Sequence, residues 1–176
     1  MTAEKSSITS AELIKQLESK DPAVVLQTLN KLEKVGNIND LPSIIKVMAG
    51  VAEPRPLNDF TSFLSNIRSK QAPAILAQFL ADPASAKIRV ELVRSCWESQ
   101  LDYSPHLILF AHLFIAGDYI LALEAFTVIE NTCLERPVQK GLLREISILI
   151  KNSLPDQPET KQRLVKELIL VLDRTS

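Results

Sequence analysis

Proline recurs in this chain at nearly constant intervals. Pro42, Pro73, Pro105 and Pro137 lie 31, 32 and 32 residues apart, and each precedes a stretch of helical patterning. A fixed period of 20–50 residues is the mark of stacked repeats. Proline suits the first turn of a helix, where its missing N–H has no intrahelical partner to lose. The spacing therefore predicts one helical hairpin written about four times. Pro22, Pro54 and Pro83, 32 and 29 residues apart, mark the first helices of the hairpins in the same way.

The composition agrees. Of 176 residues, 46% are hydrophobic, enough to exclude disorder, and only four are glycine. Alternating apolar and polar runs joined by Asn-Gly or Asp-Gly turns, the signal for β-hairpins, are absent. An all-α chain is expected. The net charge is −1 with the signs interspersed, so no concentrated basic field marks a nucleic-acid binder. The polar start predicts no signal peptide. The most apolar stretch, Leu107 to Ala116, is ten residues, against the roughly 20 a membrane span needs. Cys96 and Cys133 fit neither a redox nor a zinc pattern, which points to buried, reduced thiols and a cytoplasmic setting.

Along the chain, Thr9-Ser10-Ala11-Glu12 predicts a capping box opening a helix over 10–18. Asp21-Pro22 opens the next, with Val25, Leu29 and Leu32 inward, joined by Leu26 and Val35. Gly36 is expected to close it in the left-handed cap conformation. The repeats are placed at about 21–50, 57–81, 82–116 and 117–153, followed by a last helix over 159–173, all within one domain of 1–176. Glu53-Pro54-Arg55-Pro56 reads as an inter-repeat loop.

Asp21-Pro22-Ala23-Val24-Val25 through Gly36-Asn37, then Asp40-Leu41-Pro42-Ser43-Ile44-Ile45, resembles a HEAT-like repeat of the short bacterial type. The same frame recurs in part over 82–116, while Gly117 to Phe126 resembles a tetratricopeptide-repeat helix. The resemblance implies a right-handed α-α superhelix, or α-solenoid, of about four hairpins with flanking terminal helices. It also implies that the second helices line a concave face.

No GxSxG, HExxH or glycine-rich phosphate loop is present. His106 and His112, six residues apart, point to different faces of one helix and do not form a metal pair. No catalytic residue, cofactor or metal is expected. His106 reads as a polar first-turn residue and His112 as a satisfied or partly buried one.

Candidate partner-binding residues are of three kinds. Trp97 and Tyr103, near a turn, are read as an exposed aromatic anchor, with Glu98 and Asp102 favouring a basic partner segment. Lys140 and Arg144, with Lys46 and Gln78, form a polar row on the Pro-initiated helices. Leu170 and Val171 fall outside the apolar stripe of the last helix and suggest an interface there. Gly141, inside a helix, is attributed to close packing or a close ligand.

The expected function is a non-enzymatic protein-interaction or scaffold module with a protein or peptide partner, or a homodimer formed through the C-terminal helix. The alternative is a nucleic-acid-binding HEAT-like protein using Lys46, Lys140, Arg144 and Trp97. A bilin-lyase-like enzyme has the fold analogy alone behind it.

Overall fold

The computed structural model describes residues 9–175. They form ten α-helices: α1 (Ser10–Gln16), α2 (Pro22–Val35), α3 (Leu41–Ala49), α4 (Pro54–Ser65), α5 (Ala72–Ala81), α6 (Arg89–Glu98), α7 (Leu107–Ala116), α8 (Tyr119–Glu135), α9 (Lys140–Ser153) and α10 (Glu159–Thr175). Short 3-10 turns precede α3, α6, α7 and α10. No strand occurs among the described residues.

Side chains satisfy first-turn N–H groups at α1, α2 and α8 and at the 3-10 turn before α6. Thr9 and Glu12 form the predicted capping box on α1. Asp21, Asp82 and Asp118 each accept a backbone N–H, from Ala23, Ala84 and Leu121, at 2.9 Å. Pro22 and Pro54 stand at the first positions of α2 and α4. Pro54 and Pro56 thus begin a helix rather than forming a loop, and Pro56 is buried. Pro42 and Pro73 lie in the first turns of α3 and α5, and Pro105 sits in the 3-10 turn before α7. Pro137 departs from the pattern: α8 ends at Glu135, α9 begins at Lys140, and the proline occupies the link between them.

Packing runs in two rows. α2 packs on α4, α4 on α6, α6 on α8 and α8 on α10; in the second row α3 touches α5 and α7 touches α9. The rows are joined by α1 with α2, α5 with α6, α7 with α8 and α9 with α10. A single connected cluster of buried side chains reaches from Leu13 to Leu172 through Phe60, Leu92, Phe110 and Ile146. Each such large apolar residue contributes roughly 1.5–3 kcal/mol on leaving water.

Polar links between neighbours in the first row repeat at the proline period. Asn66 Nδ2 donates to Glu33 Oε1 at 3.0 Å and Ser65 Oγ to Glu98 Oε2 at 2.7 Å, both 33 residues apart. Arg68 donates to the Ser99 carbonyl, Arg94 to Glu124 and Arg136 to the Gln100 carbonyl, at separations of 31, 30 and 36. Gln100 has φ 58°, the sole positive φ outside glycine among the described residues. The Arg136 guanidinium, 2.8 Å from its carbonyl, fixes that turn.

Several expectations change. Leu26 and Val35, the latter the last residue of α2, are exposed, while Thr28 is buried and donates its hydroxyl to the Val24 carbonyl at 2.7 Å. Gly36 is extended, with φ −67°. Its need for glycine is steric, since a Cβ there would lie 2.5 Å from the Leu32 carbonyl oxygen. His112 is exposed rather than partly buried. A Cβ on Gly141 would meet nothing within 4 Å, so packing does not account for that glycine.

Candidate functional site

The surface that stands apart is the outer face of α8. Its inward residues, Ala122, Ala125, Val128, Ile129, Thr132 and Cys133, are buried against the second row. On the opposite side lie Tyr119, Ile120, Leu123 and Leu134, which expose 47%, 49%, 40% and 68% of their areas. With half-buried Thr127 and Glu130 between them, they follow the three-and-four spacing of one helical stripe. The other helices of the row share this character only in part. The outward positions of α4 include Asn58 and Ser62, while on α2 Gln27, Lys31 and Lys34 share the outer side with Val24 and Val35, and all of these are exposed. α8 exposes more large apolar side chains than any other described helix, which makes its outer face the candidate contact surface.

Beside the stripe, Glu124 organises the α6–α8 junction. Its Oε1 accepts from Arg94 Nε at 2.9 Å and Nη2 at 2.7 Å, and its Oε2 accepts from Trp97 Nε1 at 2.7 Å. The hydrogen bonds to Glu124 hold the Arg94 guanidinium more firmly protonated than usual. Trp97 is therefore half-buried and clamped, its ring forming one wall of a cleft of about 300 Å³ with Gln100, Tyr103, Asn131, Glu135 and Arg136. Trp, Arg and Tyr held in fixed rotamers are the side chains that dominate binding energies at protein interfaces.

Glu124 also belongs to a series. Asp59, Glu91 and Glu124 occupy equivalent places on α4, α6 and α8, 32 and 33 residues apart. Asp59 Oδ2 and Glu91 Oε2 are buried without a hydrogen-bond partner, whereas both oxygens of Glu124 are used.

Tyr103 is not an exposed anchor. It is 1% exposed, its ring meets Phe110 edge-on at 5.7 Å, and burial pushes its hydroxyl well above the usual phenol range. The turn after α6 folds inward because the tyrosine ring fills the base of α7, leaving Trp97 alone of the pair near the surface. The cysteines are equally inward. Burial pushes the Cys96 thiol up to about 12 and the Cys133 thiol up to about 11, which favours the protonated form of both at physiological pH.

Lys46, Gln78, Lys140 and Arg144 are all exposed, on α3, α5 and α9. Exposed His112 fills the place on α7, so that Lys46, Gln78, His112 and Arg144 follow one another at 32, 34 and 32 residues. On α10, Leu170 is 51% exposed while Val171 is half-buried. Leu168 and Leu172 are buried, and Arg163, Lys166, Glu167, Asp173 and Arg174 share the outer side with Leu170. The apolar surface that the terminal run suggested is thereby reduced to one leucine.

α10 is held from beneath by Lys161, a residue the sequence did not single out. It is 3% exposed, and its Nζ donates to the carbonyls of Ile115 and Gly117, at 2.8 and 2.9 Å, where α7 ends. The ammonium also lies 5.4 Å from the Phe114 ring centroid. Cations are favoured at helix C-termini and over aromatic faces, which offsets the cost of burying this one. Its spacing from the buried Leu164, Val165 and Leu168 was the available signal: a lysine in phase with an inward stripe.

Among the described residues, no group of three or more His, Cys, Asp or Glu side chains could hold a metal ion, and no helix is long and apolar enough to cross a membrane. No family model, curated protein or solved structure matches this chain.

Proposed function

We propose that the chain is an α-solenoid of the HEAT-like kind that serves as a non-enzymatic protein-binding module in the cytoplasm, using the outer face of α8 and the Trp97 cleft beside it. The observation that carries this reading is the exposed stripe of Tyr119, Ile120, Leu123 and Leu134 beside a clamped tryptophan. Support for the solenoid comes from next-but-one packing and from polar links recurring every 30–36 residues, the behaviour of translated units. Support for binding rather than catalysis comes from where the ordered polar groups are spent. Glu124, Arg94 and Trp97 satisfy one another, and both thiols are held neutral in the interior. The free, buried thiols are in keeping with a reducing compartment.

A photoreactive amino acid placed at Leu123, and separately at Lys31 on the polar face of α2, tests the proposal in the cells that make the protein. A discrete protein adduct from position 123 and none from 31 is expected. Equal labelling from both positions, or none from either, would contradict it.

A further inference from the structure

We infer that the partner element taken by the α8 face is a basic amphipathic helix; this rests on the binding-module reading above and names the chemistry of its ligand. Three observations lead there.

The first is spacing. Ile120, Leu123, Thr127 and Leu134 follow a three-four-seven sequence, that of the a and d positions of a helical seam. From Ile120 to Leu134 the stripe runs about 21 Å at 1.5 Å per residue, four turns of a partner helix. An extended peptide that binds by strand addition needs a strand edge, and the described residues offer none. A helix, whose backbone groups are already paired, needs only apolar side chains at i, i+3, i+4 and i+7 to match this surface.

The second is charge. α6 and α8 together carry five carboxylates, Glu91, Glu98, Glu124, Glu130 and Glu135, against two guanidiniums, Arg89 and Arg94. Both guanidiniums are committed: Arg94 to Glu124, and Arg89 to the carbonyls of Leu80 and Asp82. Glu130 lies within the stripe and Glu135 one residue beyond Leu134, so carboxylates border the seam; Arg136 follows at the end of α8 and donates to the Gln100 carbonyl, and α10, which packs on α8, is near balance with four cations against three carboxylates. Lysines or arginines flanking the apolar positions of the incoming helix complement that border, steering its approach and fixing its orientation.

The third bears on a second copy of this chain as occupant. In a two-fold pairing of α8 with itself, Thr127 would lie near the axis and Glu130 would face Leu123 of the other copy. Each Glu130 carboxylate would then be desolvated against a leucine with no cation to pair it, an arrangement that disfavours the interface. A basic helix meets the same apolar positions without that penalty.

The test uses the full chain and two designed 21-residue amphipathic helical peptides as probes. Both carry leucine at the a and d positions; one is flanked by lysine, the other by glutamate. Binding is followed through the Trp97 emission and by calorimetry. The lysine-flanked peptide is expected to bind at least tenfold more tightly than the glutamate-flanked one, and to weaken as salt is raised from 50 to 500 mM. Leu123→Gln with Leu134→Gln is expected to reduce binding at least tenfold. Leu170→Gln, on the outer side of α10, is expected to leave it unchanged. Glu130→Lys with Glu135→Lys is expected to invert the preference between the peptides.

Equal affinity for the two peptides, or binding unaffected by the double glutamine variant, overturns the inference. So does failure of both peptides to bind. A concentration-dependent dimer dissolved by Leu123→Gln overturns it in favour of a second copy. Any of these outcomes alongside a discrete adduct at position 123 defeats the basic helix alone, whereas loss of that adduct defeats the module.

Discussion

Glu124 fixes the one tryptophan of the chain by accepting from Trp97 Nε1 and Arg94 at once. Glu124→Ala leaves two half-buried donors without their acceptor, and the expected cost is about 1–3 kcal/mol. Trp97 is the only indole, so its emission should shift to longer wavelength in the folded variant; an unchanged midpoint and spectrum would contradict the clamp. Lys161 gives a second test with a defined sign. Burial lowers its pKa, and Asp118 opposes that in part, so the unfolded chain holds the proton to higher pH than the folded one. Stability contributed at this site therefore rises as pH climbs from the depressed folded value toward the ordinary lysine value of about 10.4. Lys161→Met removes that dependence and strands the Ile115 and Gly117 carbonyls, at a cost of about 1–3 kcal/mol near neutrality. Urea midpoints of both proteins between pH 7 and 10.5 should diverge with rising pH. Convergence would show that the ammonium is not buried as described.

At the scale of the element, the sequence was legible where local chemistry decides. Asp-Pro pairs and a capping box marked the starts of α1 and α2 because the cap groups lie within four residues of the N–H groups they satisfy. The same logic predicts that Asp118→Ala, which removes the acceptor for the Leu121 N–H, destabilises the chain by about 1 kcal/mol in a urea titration. Gly141→Ala should act oppositely. The site is helical, exposed and open on its Cβ side, so about 0.5–1 kcal/mol of stability is expected, and a loss would point to a contact at that position. The stripe on α8 was not legible. Tyr119-Ile120-Leu121-Ala122-Leu123 is apolar on both sides, and periodicity alone does not say which side a neighbour covers. Tyr103 was misplaced for the same reason: a turn residue was read as exposed, whereas the turn packs its ring onto Phe110.

For the whole molecule, a period of about 32 residues predicted an all-helical chain, and the helices are there. What the period could not carry is the outer surface, since repeats constrain the faces that touch each other and leave the rest free to diverge. Hence α4 shows water Asn58 and Ser62 while α8, two helices along the row, shows Ile120 and Leu123. The central claim is that the units are translated, so that helices of one row recede steadily from one another. Distances between nitroxide labels attached at Gln27→Cys, Ser62→Cys and Thr127→Cys, on α2, α4 and α8, measure this directly, because the native thiols are buried and do not compete for label. With helix axes about 8–10 Å apart in each step, the 27–62, 62–127 and 27–127 pairs should lie one, two and three steps apart and lengthen in that order. A 27–127 distance as short as the 27–62 distance would mean that the row closes on itself, and the stack of repeats would be refuted.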